Sequence, residues 1–191
     1  MRGYVLDVGP KFFLLSLVSD RIWFDGFECV RVSDVIAIKP DPYADFAERA
    51  LKKRGERVPK KPRVDLERIE ALLLSASRAF PLLAIHLEQA DPDVCWIGRV
   101  RGVGRGRVSL LEINPDARWD QEPREHRLSK ITRVNFAGDY ENALHLVGGD
   151  PPAGSSGDVM NRPGVKRAPF DGRSSETVPR VARRKRGVPV V

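Results

Sequence analysis

Gly3-Tyr4-Val5-Leu6-Asp7-Val8-Gly9 returns 95 residues later as Gly98-Arg99-Val100-Arg101-Gly102-Val103-Gly104, with Gly, Val, Val and Gly coinciding. The correspondence continues at an offset of 96, where Asp20 meets Asp116, Trp23 meets Trp119, Val32 meets Leu128, Ser33 meets Ser129 and Val35 meets Ile131. At an offset of 97, Tyr43 meets Tyr140. Matches that keep their order from Gly3 to Tyr43 and drift by one residue at two places indicate duplication of one structural unit.

Each copy reads as a run of short strands. In the first, Gly3 to Val8 and Lys11 to Val18 flank a turn at Gly9-Pro10, Arg21 to Phe24 continues extended, and Phe27 to Val32 and Val35 to Ile38 flank a tight Ser33-Asp34 turn. Asp41-Pro42 opens a helix, since Asp can cap free amide groups and Pro suits the first turn, and Gly55 ends it. Seven basic groups, two prolines and one acid between Lys52 and Arg63 make an exposed linker, after which Asp65 caps a second helix that runs to Pro81. Strands follow over Leu82 to Glu88, Val94 to Val103, Arg107 to Ile113, Arg124 to Leu128 and Ile131 to Phe136, and a helix from Tyr140 to Val147 closes the unit. Val100 and Val103 are an odd number of residues apart, as are Val5 and Val8. Both can point inward only if the strand bulges or bends between them, at Gly102 in the second copy and at Asp7 in the first.

A helix followed by five bent antiparallel strands, with a glycine in strand two and a two-residue turn between strands four and five, resembles the Sm-like and SH3-like small β-barrels. The segments Trp96 to Val100, Val108 to Ile113 and Leu128 to Phe136 also look like an uncharacterised bacterial family with paired copies of this unit. The expected fold is therefore mainly β (α+β): a strand-deficient barrel unit over 1–40, a helical connector over 41–80 with the basic linker 52–63, a second barrel unit over 81–150, and a disordered basic tail over 151–191. RNA-binding Sm-like proteins read uridines with an Asp and an Asn in the loop after strand two, and Gly104-Arg105-Gly106 has neither. Fold likeness alone transfers no activity.

The net charge of +7 divides unevenly. Residues 151–191 carry nine Lys/Arg against three acids, a balance of +6, and residues 1–150 carry 24 against 23. Any attraction to nucleic acid is thus expected through the tail, above all Arg183, Arg184, Lys185 and Arg186, with Arg99, Arg101, Arg105 and Arg107 around a hairpin as a second contact for phosphate or an acidic partner. Trp23 and Trp119, matched in the duplication, are a candidate aromatic surface or an element of packing.

Catalytic chemistry finds no signature. His86, His126 and His145 are scattered without metal spacing or a neighbouring nucleophile, and Asp20, Asp91, Asp93 and Asp116 are explained by turn chemistry. Gly102 to Gly106 joins strand to strand, unlike a phosphate-binding loop, which leads into a helix. Cys29 and Cys95, at non-equivalent positions, suggest no disulfide framework. Without a signal segment or an apolar run of roughly 20 residues, a cytoplasmic location without membrane attachment is expected. Because the first copy begins at Gly3, it lacks a counterpart to the Leu82 strand, so an unpaired sheet edge is expected in it, to be covered by the partner unit within the chain, or else by the Asp41 helix, a protein partner or self-association. The sequence points to a non-enzymatic binding or scaffolding module without cofactor or metal, or to a nucleic-acid-associated protein.

Overall fold

The computed structural model describes residues 2–152, so the tail residues Arg183 to Arg186 lie outside it. Eight strands form one antiparallel sheet: β1 (Gly3–Val8), β2 (Phe12–Val18), β3 (Phe24–Arg31), β4 (Leu83–His86), β5 (Cys95–Gly104), β6 (Arg107–Glu112), β7 (Arg124–Arg127) and β8 (Arg133–Phe136), in the order β1-β2-β3-β8-β4-β5-β6-β7. Three helices accompany it, α1 (Ala44–Lys53), α2 (Ile69–Ala79) and α3 (Asp139–Gly148). The fold is a β-rich α+β architecture. Among the described residues no helix is long and apolar enough to cross a membrane.

The ladders recur at the offsets read from the sequence. β2 meets β3 through Phe13↔Val30, Leu14↔Cys29 and Leu15↔Glu28, and β6 meets β7 through Val108↔His126, Ser109↔Glu125 and Leu110↔Arg124, which is the same register displaced by 95 on one strand and 96 on the other. The expected bulges are present, between Val5 and Asp7 on β1 and between Val100 and Gly102 on β5. Both tight turns, Val32–Asp34 and Leu128–Lys130, are single turns of 3-10 helix.

The glycine that matters sterically is not the one at the bulge. A Cβ on Gly102 would meet nothing within 4 Å, which is why Asp7 can stand at the matching place. A Cβ on Gly98 would instead overlap the Leu111 carbonyl, and one on Gly3 would press into the carbonyl of Ser16, its counterpart 95 residues earlier.

Three expectations are corrected. Val35 to Ile38 joins no ladder and leaves Ile36 and Ile38 in solvent, because no strand lies beside it to accept its backbone groups. The second helix begins at Ile69 rather than at Asp65, whose carboxylate instead accepts the Glu67 N–H at 2.9 Å in a local turn, while the Asp65 N–H donates to Ser75 Oγ. The two halves do pair within the chain, but through β3 rather than through the edge of β1. β3 takes β8 as its neighbour, with Phe27↔Phe136, Glu28↔Asn135, Cys29↔Val134 and Val30↔Arg133, and β1 ends the sheet. The strand available to extend the first half was the last strand of the second.

A core forms on each face of the sheet. On one, Phe12, Leu14, Cys29, Leu83, Ile85, Val108, Leu110, Val134 and Phe136 pack with Leu72, Leu73 and Ala76 of α2, all of them buried. Each buried Val, Leu, Ile or Phe among them stabilises the fold by roughly 1.5–3 kcal/mol. Phe27, Phe80 and Phe136 meet with ring centroids 4.7–6.2 Å apart, joining β3, β8 and the end of α2. On the other, Leu82, Ala84, Ile97 and Ile113 pack with Leu144 of α3.

Gly98→Ala should lower the free energy of unfolding by about 2 kcal/mol or more, whereas Gly102→Ala should stay within about 0.5 kcal/mol of the parent. Urea unfolding midpoints decide it, and equal losses at the two sites would refute the distinction.

Candidate functional site

The four arginines expected around the β5–β6 hairpin do not converge. Arg99 lies on β5 and turns to the segment that follows α3, where Nη2 is 2.7 Å from Asp150 Oδ1, and Nε donates to the Pro81 carbonyl. Arg101 is half-buried on the same strand. Arg105 is exposed at the turn with a φ of 51°, held left-handed beside Gly106 at 72°. Arg107 opens β6 directly across from Arg127. This exposed Arg105, Arg107 and Arg127 group is the cationic surface the fold assembles, and Arg127 was not visible as a member until the ladder register placed it.

The two tryptophans have unlike surroundings. The turn Ser19–Ile22 is closed by the Ser19 N–H on the Trp23 carbonyl and the Ile22 N–H on the Ser19 carbonyl. In the second half the Asn114 N–H bonds the Arg118 carbonyl and the Ala117 N–H bonds the Asn114 carbonyl. Ile22 and Ala117 are both left-handed, at 59° and 57°. The offset here is therefore 95, which sets Trp23 against Arg118 and Trp119 against Phe24; the drift to 96 falls later. Trp23 is exposed beneath the Arg54 guanidinium, 4.6 Å from the ring centroid, while Arg54 Nη1 also donates to the Arg21 and Ile22 carbonyls. Trp119 packs against the second core and donates Nε1–H to the Gly148 carbonyl at 3.2 Å.

Two constellations were missed from sequence. The first is a buried polar seam on the joint between halves. Glu28 of β3, 3% exposed, accepts from Asn135 Nδ2 at 2.8 Å and Arg133 Nη1 at 3.4 Å, both on β8. Arg133 Nη2 continues to Glu88 Oε1 at 2.9 Å and to His86 Nδ1 at 3.3 Å, and Thr132 Oγ1 donates to Glu88 Oε2. Glu28 Oε1, Arg133 Nε and Asn135 Oδ1 have no hydrogen-bond partner, so the network is only partly satisfied.

The second is a cleft of about 280 Å³ between β5, β6 and α3, walled by Val94, Trp96, Ile97, Ile113, Tyr140 and Leu144, with Asp91, Glu112, Asp120 and Arg124 at its polar side. Glu112 Oε1 lies 2.9 Å from His126 Nε2 and 3.6 Å from Arg124 Nε. Burial, followed by the neighbouring Glu112 charge, pushes the Asp120 carboxyl above its ordinary value, and Arg124 opposes the shift. The cleft unites residues from three separated segments, so no local spacing announced it. Chemically it offers an apolar slot with carboxylates at one side. No group of three or more His, Cys, Asp or Glu among the described residues is arranged to hold a metal.

No family model, curated protein or solved structure matches this chain.

Two outcomes test these sites. Arg133→Met should cost about 3 kcal/mol or more, because Glu28 is then left buried without its cation, and adding Glu28→Gln should recover part of the loss. An undiminished loss in the double variant, measured by denaturant unfolding, would refute the coupling. For Asp120, a folded-state value raised above the unfolded one means that ionisation opposes folding. The protonated form favours the fold at low pH, and that advantage is lost as pH rises through the folded value. Asp120→Asn should therefore raise the melting temperature near pH 7 and give no gain near pH 3; an equal gain at both would contradict the assignment.

Proposed function

We propose that the chain is a non-enzymatic binding or scaffolding module made of two copies of one small bent-strand unit, fused so that the first copy completes itself on the last strand of the second. The constant 95- and 96-residue offsets in ladder register, bulge and turn support reading the halves as copies. The observation that carries the binding role is the uneven distribution of apolar surface. Val5, Val8, Val32, Ile36 and Ile38 of the first half are all exposed, whereas Val100, Val103, Leu128 and Val134, which match Val5, Val8, Val32 and Ile38, pack into the core. Apolar side chains grouped on one unit and left in water mark a surface made for contact.

The cleft beside Asp120 fits this role better than catalysis. Its Glu112 carboxylate is already engaged by His126 and Arg124. A second reading, association with nucleic acid, is favoured by the +6 balance of residues 151–191, with Arg105, Arg107 and Arg127 as a supplementary contact.

Capture of partners from lysate by the full chain should survive nuclease treatment, survive removal of residues 153–191, and fall at least tenfold in Val5→Asp/Val8→Asp. Capture that disappears with nuclease or with the tail, and that weakens steeply with salt through counterion release, would instead establish the nucleic-acid reading.

A further inference from the structure

The chain uses one strand contact inside itself and carries both halves of the same contact a second time, unused among the described residues. β3 is bordered by β2 on one side and β8 on the other, and the Arg31 N–H continues the ladder onto the Thr132 carbonyl. β7 stands to β6 as β3 stands to β2, yet β7 ends the sheet. Both strands run into the same 3-10 turn, entered by the Val32 N–H on the Lys11 carbonyl in one case and by the Leu128 N–H on the Gly106 carbonyl in the other. Both turns leave the chain extended, with φ and ψ of −77° and 116° at Val35 and −74° and 120° at Ile131. After the second turn comes β8. After the first comes Val35 to Pro40, which joins no ladder among the described residues.

Exposure shows what that segment lacks. At the constant offset of 96, Ile36 and Ile38 match Thr132 and Val134. Thr132 and Val134 are 2% and 0% exposed, whereas Ile36 and Ile38 are 101% and 81% exposed. Two isoleucines on alternate positions, and so on one side of an extended segment, suit a half-buried strand and are unfavourable in open water. One further group is repeated. Arg31 Nη1 crosses the internal joint to the Ser129 carbonyl at 2.9 Å, and the matching residues are Arg127 and Ser33.

We propose that the outer edge of β7 in one copy of this chain takes up residues 35–40 of a second copy as an antiparallel strand. The inference rests on reading the halves as two copies of one unit. Transfer of the β3–β8 register gives Arg127↔Ile36, His126↔Ala37, Glu125↔Ile38 and Arg124↔Lys39, and places the Arg127 guanidinium at the partner's Ser33 carbonyl. The contact is head-to-tail, so it either closes into a ring or extends as a filament, and each copy spends one edge and one segment. Arg124 opposite Lys39 is a like-charged pair that limits its strength.

Sedimentation of the full chain over a concentration series tests the proposal, and association beyond monomer is expected. Ile36→Lys/Ile38→Lys, both at exposed positions, should weaken it at least tenfold while leaving the melting temperature unchanged. Lys39→Glu, which sets opposite charges across the joint, should tighten it several-fold. Mixing an Ile38→Cys chain with a Glu125→Cys chain should give a disulfide-linked heterodimer on mild oxidation, and mixing Val5→Cys with Glu125→Cys should not. A chain that stays monomeric throughout, association untouched by the double lysine variant, or cross-linking at Val5 in place of residue 38 would each overturn the proposal. A monomer that still captures partners from lysate would leave the binding role standing, and self-association without such capture would do the reverse.

Discussion

The joint between β3 and β8 is the contact on which the rest of this structure depends. It turns a three-stranded piece and a five-stranded piece into one sheet, and its two faces do different work. On the α2 face, Phe27, Phe136 and Phe80 bury apolar surface across the joint. On the opposite face, Glu28, Arg133 and Asn135 bury charge. The apolar face supplies most of the favourable energy, because charges moved out of water regain little more than the cost of their desolvation. Three strands with an apolar face are close to the minimum for an independent unit. Pairing with β8 gives the first half a fourth strand and a shared core.

Much of this architecture is legible in the sequence, for a physical reason. The recurring residues set out the order of strands, and the odd spacing of Val5 and Val8 and of Val100 and Val103 locates both bulges, because side chains alternate strictly along a regular strand. What escaped were relations that no local pattern encodes. Val35 to Ile38 has the composition of a strand and lacks only a neighbour, which composition cannot report. Gly3 and Gly98 are pressed against a backbone carbonyl on the adjacent strand, a contact no local pattern encodes, whereas Gly102 at the bulge stands in open space.

The candidate sites were less legible for the same reason. A cleft whose polar side draws Asp91, Glu112, Asp120 and Arg124 from separate segments has no spacing to recognise. Arg105 and Arg107 could be found because a hairpin keeps sequence neighbours together, but Arg127 joins them only through the β6–β7 register. Identical rare residues set Trp23 against Trp119 at an offset of 96 in the sequence. The backbone bonds of the turns, which ignore side-chain identity, place the slip after Trp119.

The buried charges at the joint also explain how two similar edges within one chain are kept distinct. Glu28 and Arg124 occupy the same ladder position, opposite Leu15 on β2 and Leu110 on β6, as shown by the two registers. On β3 this position holds the carboxylate that receives Asn135 and Arg133; on β7 it holds a cation. If β8 were placed against β7, Arg133 would face positive charge and Asn135 would lose its acceptor, a penalty felt because both groups are half-buried at the joint. The polar seam therefore selects a partner more than it adds stability. An all-apolar joint of the same shape would hold the halves together at least as firmly, but would give β8 little reason to prefer one edge over the other.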